Sequence, residues 1–287
     1  MPGSGPTLRQ RELGKRLREL RKALGLTVEE VGAELLCSPT KISRIETAAR
    51  RPTLRDVRDL CRLYKVDKAT TNEFMQLTRE AREQGWWRQY SDLNLDPYIG
   101  LEEAATSITS YTMYYVPALL QIEDYTRAII KGIAPKIDLK VHQERVEARL
   151  RRQEILDREP PPNYRVLMDE AVLRRPVGGT TVMIAQLDKI LWAGENRKAT
   201  VQVIPFGIGA HAAQDSNFIL FEFAEQQQPP VVFVEGLIKH QYQERETDVA
   251  RYREAIELLR DEALSPRASM QLVAEVKDSY VVKLDAA

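Results

Sequence analysis

Residues 27–52, TVEEVGAELLCSPTKISRIETAARRP, constrain the fold more than any other stretch, because two helix starts and one tight turn follow in quick succession. Thr27 followed by Glu30 is a capping box, in which hydroxyl and carboxylate each satisfy an amide that the first helical turn leaves unbonded. Glu29 adds negative charge at the positive end of the same helix. A helix therefore begins at Val28, and Val28, Val31 and Leu35 recur at spacings of three and four to make one apolar stripe. Cys37 ends the run. Ser38-Pro39 starts a second helix, Ser as N-cap and Pro at the first helical position, where the missing amide costs nothing. Unrolled at about 100° per residue, this helix puts Ile42 and Ile45 on one side with Glu46 close by. Thr40, Ser43, Arg44 and Thr47 cluster on the opposite side, and Lys41 sits on the flank.

Two short helices joined by a tight turn, the second with an apolar anchor and a polar outer face, have the layout of a helix-turn-helix, whose second helix enters the DNA major groove. The polar side chains suit that task. Arg44 can bond guanine bidentately, and Thr40, Ser43 and Thr47 can reach phosphates or thymine methyl groups. Lys41 is the expected phosphate contact, and Ser38, Arg50 and Arg51 complete the candidate DNA-binding set. The alternative is that these are solvated residues on a small helical bundle. The flanks agree with the first reading. Leu13, Leu17, Leu20 and Leu24 stripe a preceding helix that Gly25 ends as a C-cap, and Pro52-Thr53 opens another with Val57, Leu60, Cys61 and Tyr64 inward. Four or five short helices in about 80 residues predict a small all-α domain.

The segments LGKRLRELRKALGLT (13–27), EEVGAEL (29–35) and SPTKISRIETAARRP (38–52) resemble the Xre-type, lambda-repressor-like helix-turn-helix regulators. The resemblance implies that Arg21 pairs with Glu46, fixing the first helix to the recognition helix, and a buried carboxylate does need a partner. Two positions depart from the family. Val28 stands where many members carry a phosphate-binding Gln, which removes one backbone contact, and Leu36 stands where many carry Gly, which makes the turn atypical.

Charge divides the same way. Overall, 42 basic residues balance 42 acidic ones. Residues 1–90 hold 19 basic and 12 acidic, leaving 23 and 30 for the rest, so a module of net +7 joins one of net −7. Only the first is suited to a polyanion. With 287 residues the chain has room for two cores. No segment approaches 18 apolar residues and the N-terminus lacks the apolar core of a signal peptide, so a cytoplasmic protein with no membrane segment is expected. Cys37 and Cys61 are then thiols, small buried hydrophobes rather than a redox switch.

We read residues 1–7 as a flexible N-terminus, 8–84 as the DNA-binding domain, 85–100 as a junction, 101–278 as a C-terminal domain and 279–287 as a tail. A helix over 71–84 ends at Gly85, followed by the loop SDLNLDPYIG. Trp86-Trp87 between them weld the domains or edge a dimer interface rather than stack on bases. Three helices are predicted next, LEEAATSITSYTMYY, QIEDYTRAIIKGI and LKVHQERVEARLRRQEILDRE, the last a salt-bridged, solvated helix stopped by Pro160-Pro161-Pro162. Beyond Asn163, YRVLMDEAVL, TVQVIPF, NFILFEF and PVVFVEG read as strands, with QQQPP as a hairpin loop, while TVMIAQLDKILWAG, 244–263 and 265–278 read as helices. The fold class is α+β overall: an all-α helix-turn-helix domain, a helical segment and a small mixed α/β domain.

No catalytic or cofactor signature emerges. His142, His211 and His240 lie apart without metal-ligand spacing, and GxSxG, P-loop and HExxH patterns are absent. The element order resembles phospholipase D-like folds but lacks their HxK signature. We expect no enzyme activity, no metal and no cofactor. The loop Gly207 to Asn217 follows a strand and gathers Gly207, Gly209, His211, Gln214 and Asp215 where α/β folds bind ligands; it is either an effector pocket or a structural loop. Asp169 and Glu170 point to the same place or cap the next segment.

WWRQYSDL, YYVPALLQIEDYTRAII, ERVEARLRRQEILDRE with PPP, LMDEAVLRRPVGG, QLDKI, VQVIPFGIGAH and VVFVE, in that order, are similar to the C-terminal region of a group of actinobacterial Xre-type regulators that includes developmental regulators and antitoxin-like proteins. Ala118 replaces the Gly of many members in the VPxLLQ segment. The resemblance implies a DNA-binding regulator whose C-terminal domain binds a cognate protein, a small molecule or its own copy. The expected function is therefore a sequence-specific, dimeric transcription regulator on a near-palindromic operator. The alternative is an antitoxin-like protein that neutralises a small partner and regulates its own operon.

Overall fold

The computed structural model describes residues 8–80, 86–90, 96–224, 229–236 and 240–286. The chain divides into two compact units, Met1–Ala104 and Ala105–Ala287. The expected flexible N-terminus at 1–7, the helix end at 81–85 with Gly85, the first half of the loop at 91–95 and the QQQ of the hairpin loop fall outside the described residues.

Unit 1 contains α1 (Leu8–Ala23), α2 (Val28–Glu34), α3 (Pro39–Glu46), α4 (Leu54–Leu63), α5 (Lys68–Glu80) and α6 (Asp96–Ala104), with a 3-10 turn at Trp86–Gln89. The cap chemistry locates the starts. Thr27 and Glu30 form both bonds of a capping box at α2, Ser38 Oγ accepts from the Lys41 amide at α3, and Thr53 with Asp56 forms a second capping box at α4. At the end of α1, Gly25 takes φ +70°, and the bonds Gly25 N to Lys22 O and Leu26 N to Arg21 O close a Schellman turn. Leu13, Leu17, Val31, Ile42, Ile45, Val57, Leu60, Cys61, Tyr64, Phe74 and Leu77 make the core. Leu24, placed on the apolar stripe from sequence, is exposed because α1 stops one residue earlier.

Two glycines set the helix crossings. A Cβ on Gly14 would lie 2.7 Å from the Ile45 carbonyl oxygen and 2.8 Å from that of Glu46, and one on Gly32 would lie 2.8 Å from the Cys37 carbonyl. Any side chain there would push α1, or the turn after α2, off the recognition helix. The Trp pair also belongs to unit 1: Trp86 and Trp87 meet edge to face at 5.9 Å, and Trp86 Nε1 donates to Glu103 of α6. The expected loop at SDLNLDPYIG gives way to α6 from Asp96 onward.

Unit 2 is a six-stranded mixed sheet with helices. Its strands are β1 (Ser107–Thr112), β2 (Asn163–Asp169), β3 (Thr200–Ile204), β4 (Phe218–Glu222), β5 (Val231–Val234) and β6 (Gln241–Gln243), in the order β3-β2-β1-β4-β5-β6. β1 to β3 are parallel and β4 to β6 join antiparallel, so the chain is α+β. Between the strands run α7 (Glu123–Ile133), α8 (Leu139–Arg151), α9 (Glu170–Arg174) and α10 (Thr180–Glu195), and after β6 come α11 (Glu246–Glu262) and α12 (Pro266–Asp285). On one face Tyr111, Leu167, Ile204, Phe218, Leu220 and Val232 pack with Val249, Ile256 and Leu259 of α11. Ser269 of α12 accepts from the outward amide of Val203, and Leu264 N bonds the Val203 carbonyl, which covers the β3 edge.

Four expectations are corrected. LEEAATSITSYTMYY is not one helix: only its first residues belong to α6, and SITSYT is β1, an interior strand of the sheet between β2 and β4. Ile108, Thr109, Tyr111 and Thr112 are β-branched or aromatic and buried, which suits a pleated strand covered on both faces. YRVLMDEAVL stops being a strand at Asp169, whose carboxylate accepts from Ala171 N and starts α9. The long third helix ends at Arg151 and continues as a 3-10 turn to Asp157. The last helix runs to Asp285, so residues 279–285 are helical rather than a tail, with Tyr280 buried and bonded to Arg174 O.

Candidate nucleic-acid interface

The recognition helix α3 is held by its inner face. Ile42 and Ile45 are buried, and Glu46 receives Arg21 as a fork, Nε to Oε1 at 2.6 Å and Nη2 to Oε2 at 2.8 Å, while Nη1 donates to Leu26 O. One guanidinium thus ties α1, the turn after it and α3 together, and the paired carboxylate holds Arg21 even more firmly protonated than usual. Tyr64 beside them has its hydroxyl pushed well above the usual phenol range, first by burial and then by the Glu46 charge.

The outer face is open. Thr40, Ser43, Arg44, Thr47 and Arg50 are exposed, and Arg51 is half-buried. Among the described residues neither Arg44 nor Arg50 has a side-chain partner, whereas Thr47 Oγ1 donates to Ser43 O within the helix. Ser38 is spent as the N-cap, its Oγ accepting from Lys41 N at 3.2 Å. Lys41, the expected phosphate contact, has a partner within the unit. Its Nζ meets Asp56 Oδ1 at 2.5 Å, with only 24% of the lysine and 13% of the aspartate side chain exposed. Burial alone would raise the Asp56 carboxyl, but the bonds from Lys41 and Thr53 outweigh it and hold it below the ordinary value. Sequence reading missed this pair, since nothing local links a flank lysine to the third residue of the next helix.

Leu36, in the turn between α2 and α3, adopts φ +50° and is 95% exposed. Cys37 and Cys61 are free thiols, the latter pushed up by burial and so poorly nucleophilic.

In unit 2 the motif residues of VPALLQ hold structure rather than ligand. Gln186, fully buried on α10, donates to Leu120 O and accepts from Ile122 N; Gln121 Nε2 donates to Val116 O; Gln153 Nε2 donates to Ala118 O and Gln121 O. Tyr125 receives Val116 N, and burial pushes its hydroxyl up to about 12. Glu170 is likewise structural, accepting from Phe206 N and Arg174. The 207–217 loop is only partly a pocket. A cleft of about 450 Å³ is lined by Ala212, Ala213, Asp215, Ser216, Phe218 and, across it, Gln243 and the Asp248–Ala255 side of α11. Asp215 alone of the candidates lines it. Gly207, Gly209 and Gln214 do not, and His211 faces the Tyr111 hydroxyl at 3.4 Å. Among the described residues no three metal-ligating side chains converge, and no helix is long and apolar enough to cross a membrane.

A helical unit whose second and third helices form a turn, with the third anchored inside and polar outside, defines a helix-turn-helix DNA-binding protein, and residues 12–74 match the helix-turn-helix domain profile. The chain is a DNA-binding regulator of that class. Residues 95–275, well over half its length, match the profile described as a domain of unknown function (DUF5753), and the chain belongs to that family. No curated protein and no solved structure matches it.

Proposed function

We propose that this is an Xre-type, sequence-specific transcription regulator that binds a near-palindromic operator as a dimer, with unit 2 responding to a small molecule or a partner protein and performing no catalysis. The observation that carries the DNA reading is Arg44, exposed and, among the described residues, unpartnered on a helix whose opposite face is locked by Ile42, Ile45 and the Arg21–Glu46 fork. A guanidinium held on a rigid helix and left without an internal partner is the group that reads guanine bidentately. Dimerisation follows from reach, since one recognition helix covers only a few base pairs. The effector reading draws support from the cleft beside β4, where Asp215 and Asp248 stand near Tyr252.

A second reading, capture of a small cognate protein as in antitoxin-like regulators, is favoured by a groove of about 420 Å³ between α7 and α8, with Leu139 of its lining exposed. Genome-wide mapping of binding sites gives the operator, and anisotropy titration then tests Arg44→Ala on it. A loss of about 1–3 kcal/mol with relaxed base preference is expected. Unchanged specificity removes Arg44 from the reading set. Altered operator affinity on adding a metabolite favours the sensor; co-purification of a small neighbouring gene product favours partner capture.

A further inference from the structure

Lys41 and Asp56 set up a competition that the sequence alone does not reveal. Both oxygens of Asp56 are occupied, Oδ2 by the Thr53 amide at 2.8 Å and Oδ1 by Lys41 Nζ, while the Asp56 amide itself donates to Thr53 Oγ1. The carboxylate is therefore fixed to the first turn of α4, and the lysine of α3 is drawn to it with most of its length packed. Arg44 and Arg50, on and just beyond the same helix, carry no such restraint. A cation that neutralises a phosphate releases a counterion and adds about 0.9 to the salt slope of binding. A cation already neutralised by a partly buried carboxylate does not, and separating the two leaves a charge short of partners.

We propose that Asp56 is a positioning residue of the DNA interface, holding Lys41 off the phosphate backbone so that general affinity for DNA stays low and the unpaired residues of α3 do the reading. This rests on unit 1 being the DNA-binding module. The restraint acts on sequence-independent affinity, so no operator is required to test it.

The full-length protein is titrated with a fluorescent random-sequence duplex at several salt concentrations, comparing the native chain with Lys41→Met, Asp56→Asn and the double variant. Asn keeps an oxygen for the Thr53 amide, and a urea midpoint for each variant reports folding. Lys41→Met should leave affinity within about twofold and the slope unchanged, whereas loss of a true phosphate contact lowers affinity about threefold over a fourfold salt range and the slope by about one. Asp56→Asn should raise affinity about three- to tenfold at low salt and steepen the slope by about one, and Lys41→Met in that background should abolish the gain. A gain that survives Lys41→Met reflects loss of negative charge alone and overturns the proposal. So does a Lys41→Met variant that loses affinity and slope by itself, a result that stands even if Asp56→Asn fails to fold. A native chain that binds no duplex at low salt would refute the DNA-binding reading instead.

Discussion

Leu36 occupies a backbone conformation that an L side chain with a Cβ enters at a cost of about 1–2 kcal/mol, and at 95% exposure it recovers almost nothing by packing. Leu36→Gly should stabilise unit 1 by about 0.5–1 kcal/mol after the entropy of the more flexible unfolded chain is counted, measured as a raised urea midpoint. A fall in the midpoint would mean that the leucine makes contacts this geometry does not contain. Acidity tests a second set of residues. Glu30, Asp56, Asp67 and Glu73 all titrate below their ordinary values, held by Thr27, by Lys41 and Thr53 against burial, by Thr70 and by Arg16 respectively. A carboxyl whose folded value is depressed stabilises the fold above its unfolded value, about 4, and loses that contribution as pH falls through the folded value. The unfolding midpoint should thus be level between about pH 5 and 8 and drop below about pH 4, less steeply in Asp56→Asn; a profile rising toward acid contradicts the assigned bonds. At this scale the caps were legible because Thr27–Glu30 and Ser38–Pro39 act within four residues. The Lys41–Asp56 pair was not, since it joins two helices across a loop.

Among the elements, α1 and α3 cross at Gly14. Helix propensity alone favours Gly14→Ala by about 1 kcal/mol, but the added methyl would meet two backbone carbonyl oxygens that cannot rotate aside. The prediction is net destabilisation by about 1–3 kcal/mol, together with weaker DNA binding as α3 shifts; a more stable variant would show that the crossing yields. The strand β1 carries the complementary lesson. SITSYT follows a helix and contains Ser and Thr at buried positions, so its local pattern reads as a continuation of the helix. It becomes a strand because β2 and β4, about 55 and 110 residues further along the chain, supply its hydrogen bonds on both sides. By contrast β4 and β5, apolar runs close in sequence, were legible as a hairpin.

For the whole molecule, each unit has a separate core, one built on Leu13, Ile42 and Leu60 and the other on the sheet with α11. A fragment of residues 1–104 should therefore fold and keep weak, salt-sensitive DNA binding while losing the affinity of a dimer on a two-fold site. Gel-shift titration of fragment against full chain decides it; equal affinity places the dimer interface in unit 1. The charge asymmetry that separated the halves in sequence also looks different once folded. Several unit 1 cations are already paired, among them Arg16 with Glu73, Arg21 with Glu46 and Lys41 with Asp56. The count of Lys and Arg overstates what is free to meet phosphate.

The amino-acid sequence by itself determined the helix-turn-helix, because caps, a proline at the first turn and a 3.6-residue apolar period are forces acting over a few residues. It also determined the α+β class, through the change of texture after Asn163. Only the tertiary structure decided which charges are spent and which remain free, where β1 lies, and that the VPALLQ segment is clamped by buried glutamines. Those outcomes depend on groups tens of residues apart, and burial sets their energies only once the chain has closed around them.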